Sequence, residues 1–258
     1  MLKTRMVFGT TVRVSNRKEY IGGSYVESYK ESMAATTGRV ARVLAPPRAA
    51  AVAGVIFSVL MGTSLVTIRL AVPAYQIDPG AWLNDPTRRN AVRFAIQLVP
   101  FAGIAFLWFI GVLRNRVGAL EDQFFATVFF GSGLLFVASL FASAAFSGAL
   151  IEAIASGRFH VLNNETYFLI RQLVGSFLNV FAIKMAGVFI ISTSTIVLRT
   201  AILPKWVAFS GYACAVVLLL VITNWPWIAL LFPLWMLLLS TCILLAEFHQ
   251  MAPHSARS

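Results

Sequence analysis

FFATVFFGSGLLFVASLFASAAFSGALI, residues 124–151, runs without a single charged side chain. A helix needs roughly 20 apolar residues to cross the hydrocarbon core of a bilayer, and this stretch exceeds that. Five further apolar segments accompany it, near 50–72, 92–113, 173–198, 206–223 and 226–246, with short polar stretches between them. Only helices and closed barrels satisfy all their backbone hydrogen bonds in lipid, and these segments are too long and too evenly apolar for alternating barrel strands. The expected fold is an all-α polytopic transmembrane helical bundle of six spans, occupying 50–246.

Composition agrees with that reading. Of the 258 residues 59% are hydrophobic and 12% charged, and the mean hydropathy is +0.79. Soluble domains carry about 25% charged residues, so little of the chain is left to build one. The formal net charge of +11 would point to nucleic acid in a soluble protein. Its placement argues against that partner: nine of the 21 Lys and Arg fall in the first 49 residues, and most others lie at span ends. Membrane lipids, with anionic headgroups meeting a basic arm, are the expected partners. Cys214 and Cys242 fall inside apolar segments and read as small hydrophobes.

Residues 1–49 read as a basic, largely disordered cytoplasmic arm ending in Ala45-Pro46-Pro47-Arg48, which stops any preceding helix. Met33 opens a natural short start before the first span, which makes 1–32 a candidate start-site extension. Residues 247–258 read as a short cytoplasmic tail. With the N-terminus inside, 14 Lys and Arg lie on the inner side and six on the outer. Both termini are therefore expected to be cytoplasmic, in the plasma (inner) membrane. Between spans, Asp85 or Thr87 is placed to cap the helix entering span two, and Asp122 to help begin span three. Ile154, Phe159, Val161, Leu162, Tyr167 and Phe168 read as interfacial side chains, and Thr223–Trp227 as a tight outer turn.

Within the spans, Lys184 demands an explanation. A Lys at a span centre costs roughly 2.5–3.5 kcal/mol on insertion scales. Thirteen Val, Ile, Leu and Phe between 174 and 198 outweigh that cost. One reading makes Lys184 a proton, anion or headgroup site facing a cavity, with Asn179, Gln172 and Glu152 as secondary candidates. The other makes it a structural Lys paired with a carbonyl or Glu, or snorkelling toward the interface. Asn179 and Gln172 share a helix face, whereas Lys184 falls about 140° from Asn179 at 100° per residue. In span three, Ser132, Ser139, Ser143 and Ser147 recur at spacings of seven, four and four among Gly and Ala. Small residues on one face let helices approach closely, so this reads as a helix-packing face. Pro100 and Pro233 are expected to interrupt the helical hydrogen-bond ladder.

Catalytic and cofactor chemistry find little support in the residues. The histidines, His160, His249 and His254, lie outside the spans, which leaves haem without axial ligands and the deep serines without a base. No H-E-x-x-H is present. No cofactor or metal is expected.

The block PFAGIAFLWFIGVLRNRVGALEDQFFATVFFGSGLLFVASLFASAA, 100–145, resembles one found in uncharacterised multipass membrane proteins of actinobacteria. LPKWVAFSGY, 203–212, is similar to the junction after the fourth span in several such families. The resemblance covers about two-thirds of the chain from near Arg39. It implies a six-span plasma-membrane protein with no assigned reaction, and it carries over no functional residue.

Two functions follow as expectations. The first is a non-enzymatic bundle that self-associates or serves another membrane protein as an accessory component. The second is a small transporter or lipid-handling protein centred on Lys184. A membrane-embedded enzyme comes third.

Overall fold

The computed structural model describes residues 47–72, 81–117, 123–156, 164–200, 203–220 and 227–251. Helix α1 spans Pro47–Ala71, and a 3-10 turn, Ala81–Asn84, leads into α2, Pro86–Val117. Helix α3 covers Gln123–Ala155. A single long element follows, built from α4 (Asn164–Gly175), a π-helical segment (Ser176–Ala182) and α5 (Ile183–Thr200). Helix α6 is Lys205–Leu220, and a 3-10 turn, Ile228–Leu230, opens α7, Leu231–Met251. The described residues are helical, and these helices belong to one compact unit.

Local chemistry sets the helix starts. Asp85 Oδ1 accepts from the Thr87 amide at 2.9 Å, so Asp85 and not Thr87 caps α2. Pro86 then occupies the first helical position, where its missing N–H would have had no partner. Helix α2 continues through Pro100 without a break. Beside it, Ser64 of α1 donates to the Ala95 carbonyl at 2.8 Å, a hydroxyl supplied close to where proline removes a donor. Pro233 sits in the first turn of α7, where proline is tolerated. Pro100 thus removes one bond from the ladder of α2 without ending the helix, whereas Pro233 stands in a first turn, where no intrahelical bond is lost.

Five helical elements are long and apolar enough to cross a membrane: Arg48–Ala71, Pro86–Arg114, Ala126–Ala155, Glu165–Thr200 and Ile228–Ala246. The segment expected as the fifth of six spans, 206–223, is described only as the shorter apolar helix α6, whose 16 residues cover roughly 24 Å at 1.5 Å per residue, against a hydrocarbon core of about 30 Å; residues 221–223 lie outside the described set. Other boundaries move as well. Helix α1 includes residues assigned to the basic arm, α2 starts six residues before the expected 92, and the fourth element begins at Asn164 rather than near 173. Residues 1–46, 73–80, 118–122, 157–163, 201–202, 221–226 and 252–258 lie outside the described set. The expectations for most of the arm, for Phe159, Val161 and Leu162, for Asp122, for most of the Thr223–Trp227 turn and for the C-terminal tail fall there.

The centre of the bundle is aromatic. Phe57 of α1, Phe106 of α2, Phe136 of α3, Phe189 of α5 and Phe232 of α7 are each at most 4% exposed. Their ring centroids lie 4.7–6.2 Å apart, mostly tilted or edge-on, the arrangements that ring quadrupoles favour. Outward-facing positions carry Val59, Phe101, Trp108, Leu135 and Phe209, all exposed, as suits side chains meeting lipid tails. Helix α6 packs antiparallel against α5. A Cβ on Gly187 would lie 2.9 Å from Leu219 Cγ, and one on Gly211 would collide with Ser194 Oγ and lie 2.9 Å from Trp235 Cζ2. Only glycine permits that approach of α5, α6 and α7.

Candidate functional site

Lys184 is the second residue of α5, immediately after the π segment, and near the middle of the long fourth element. Its ammonium donates to the Leu218 carbonyl at 3.1 Å and the Leu219 carbonyl at 2.5 Å. Both carbonyls belong to the last turn of α6. The final four carbonyls of a helix have no partner within it, and the helix dipole concentrates negative partial charge there. A cation at this point answers both. The described part of α6 ends at Leu220, so the ammonium of Lys184 ties the middle of the fourth element to the last described turn of α6.

The secondary candidates do not converge on Lys184. Asn179 is half-buried within the π segment, and Gln172 is exposed on α4. Hydrogen bonding in the π segment runs i to i+5, so the even 100° step that separated Asn179 from Lys184 does not hold across Ser176–Ala182. Glu152 is exposed near the end of α3, where Arg93 Nη2 donates to its Oε2 at 3.1 Å. It is an exposed ion pair on a different part of the bundle.

Ser132, Ser139 and Ser143 are buried, and Ser147 is half-buried. Three of the four donate within their own helix: Ser132 to Phe129 O at 3.1 Å, Ser139 to Leu135 O and Ser147 to Ser143 O, both at 2.8 Å. Ser143 alone reaches across, to the Val174 carbonyl at 3.3 Å, just before the π segment begins. The deep hydroxyls of Ser192 and Thr193 on α5 likewise donate to carbonyls four residues back. An apolar crevice of about 20 Å³ lies beside the end of α6, between Leu178, Ala182, Ala186, Leu218, Phe232 and Pro233. Its lining is almost wholly apolar.

Sequence reasoning missed a second cluster, at the end of the bundle where α1 finishes. Tyr167 and Trp82 are buried there with Ala71, Leu83, Val92, Leu150 and Ile151. Tyr167, read from the sequence as an interfacial side chain, is 5% exposed and packed against neighbouring helices. Trp82 Nε1 donates to its hydroxyl at 3.2 Å, and Arg171 Nη1 does so at 2.6 Å. Arg69, half-buried in the last turn of α1, lies within electrostatic reach of Arg171. In the sequence, the available signal was a Tyr and an Arg at i, i+4, which share a helix face. Nothing linked them to Arg69 or Trp82.

Set against protein-family models, curated proteins and solved structures, the chain matches none of them.

Proposed function

We propose that this protein is a non-enzymatic helical bundle of the plasma membrane, acting as a self-associating or accessory component, with both termini in the cytoplasm. The observation that carries this reading is the bonding of Lys184 to the end of α6. The charge that most suggested a transport or ligand site serves helix architecture. The five packed phenylalanines favour the same reading, since they fill the centre of the bundle with apolar side chains. The buried serines of α3 bond within the monomer, so association would use the outward apolar faces, among them those carrying Phe101, Trp108 and Leu135. The six-span organisation implied by the resemblance to actinobacterial membrane proteins belongs with this reading, α6 counting as a short sixth helix. Native mass spectrometry of the protein extracted gently from its own membrane tests it. A stoichiometric homo-oligomer or a co-purifying membrane protein is the expected result. A bare monomer that retains a small molecule lost in Lys184→Met would replace this reading with the transport one.

A further inference from the structure

We propose that the outward face of α2 is where this protein meets a second copy of itself, with Gln97 of the two copies hydrogen-bonded across the contact. The inference rests on the self-association reading above and names the face that carries it. Arg93 and Arg114 bracket the apolar part of α2, and no charged residue lies between them. Residues 94–113 rise about 30 Å at 1.5 Å per residue, the thickness of a hydrocarbon core. The exposed positions of this stretch include Phe94, Gln97, Phe101, Ile104, Trp108 and Gly111. Their spacings alternate between three and four, the seam along which two helices interlock in left-handed packing. The outer side of any helix shows such spacing, so the spacing permits a partner without requiring one.

The polar groups on the seam supply the requirement. Gln97 is exposed and makes no hydrogen bond with any described residue. It lies one turn, roughly 6 Å, inside the level of Arg93, where lipid tails offer its amide neither donor nor acceptor. Pro100, exposed on the same side, has no N–H to give the Ile96 carbonyl, its partner in a regular helix. Trp108 is exposed as well, and its indole N–H has no acceptor among the described residues. At roughly 9 Å inside Arg114, it is deeper than the headgroup level that Trp rings favour. A second copy answers these groups together. Copies inserted in one orientation are related by a two-fold axis along the bilayer normal, which sets residues of equal depth opposite each other. A carboxamide both donates and accepts, so two facing Gln97 side chains satisfy each other. The second N–H of each amide is left for an Ile96 carbonyl. Gly111, one turn from Trp108, has nothing within 4 Å of where a Cβ would stand, which leaves room for the indole of the second copy.

The test measures energy transfer between donor- and acceptor-labelled copies of the full chain in phosphatidylcholine vesicles, over a series of protein-to-lipid ratios. Labels are carried on Ser258→Cys in a chain with Cys214 and Cys242 replaced by Ala. Gln97→Leu is expected to weaken self-association by about tenfold, the scale of an interhelical amide hydrogen bond in lipid. Gln97→Asn keeps the carboxamide and is expected to recover part of that loss. Leu135→Ala, on the outward face of α3, is expected to change nothing. Since Gln97 makes no bond within the described monomer, Gln97→Leu is expected to keep the wild-type thermal unfolding midpoint at high dilution in lipid. Self-association that is unaltered in Gln97→Leu overturns this proposal while leaving the self-association reading in place on another face. Wild-type transfer no greater than that of randomly mixed labels overturns both. A membrane protein that co-purifies with wild type and is lost in Gln97→Leu, while wild-type copies stay apart in vesicles, overturns the second copy as occupant and gives the face to that protein.

Discussion

Replacing Lys184 by Met isolates the contribution of one ammonium to the end of α6. Two hydrogen bonds from a charged donor are worth about 1.5–3 kcal/mol each, so their loss costs roughly 3–6 kcal/mol. Removing a Lys from mid-span returns about 2.5–3.5 kcal/mol on insertion scales. The balance is a net loss of about 1.5 kcal/mol, small enough that global unfolding is the weaker assay. The local effect is not offset in the same way. Without the cation, the last turn of α6 frays from α5, and hydrogen exchange in Leu218–Leu220 should rise by about tenfold for each 1.4 kcal/mol lost. Exchange in the first turns of α2, around the Asp85 cap, should not change. Lys184→Gln keeps a neutral donor and should fall between the two. Unchanged exchange in this turn, or a gain in stability of about 3 kcal/mol from relieved desolvation alone, would refute the capping argument.

Further outcomes follow from packing and pairing. Gly211→Ala places a methyl against Ser194 and the rigid Trp235 ring and should cost about 1–3 kcal/mol, measured by unfolding in mixed micelles. Gly62→Ala is its control: nothing lies within 4 Å of the new Cβ, so helix propensity should make it neutral or stabilising by up to about 1 kcal/mol. Phe106→Ala empties the centre of the aromatic core and should cost about 3–5 kcal/mol in the same assay. Arg93→Gln breaks only the exposed pair with Glu152 and should change stability by less than about 1 kcal/mol.

Much of the helical architecture was legible because length and charge depletion alone define it. Residues 124–151 could be little else, and Asp85 ahead of Pro86 marked the start of α2. The meeting of Lys184 with α6 was not legible. Leu218 to Ile222 reads as one apolar run, and nothing in it marks two of its carbonyls as partners for a cation. The cost of Lys184 could be estimated but its partners could not be found. The π segment was equally hidden, since SFLNVFA contains neither proline nor glycine and its extra residue per turn leaves no compositional trace. The seven-four-four serine spacing placed four hydroxyls on one side of α3. It could not say that three of them would bond to their own helix and only Ser143 to another. Arg69 and Arg171 were visible only as charges in a topology count, because about a hundred residues separate groups that the fold brings together.

The centre of the bundle is packed with phenylalanine rings, and Lys184 bonds the carbonyls of Leu218 and Leu219 on α6. Ala182 and Ala186 are buried beside the apolar crevice. Placed singly as Ala182→Cys or Ala186→Cys in a chain with Cys214 and Cys242 replaced by Ala, each gives a direct probe of that interior. The account predicts that neither thiol reacts with a small water-soluble thiol reagent applied to both faces of a sealed membrane, while both react after unfolding. Rapid labelling of the folded protein at either position would reveal a water-filled path beside Lys184 and contradict it.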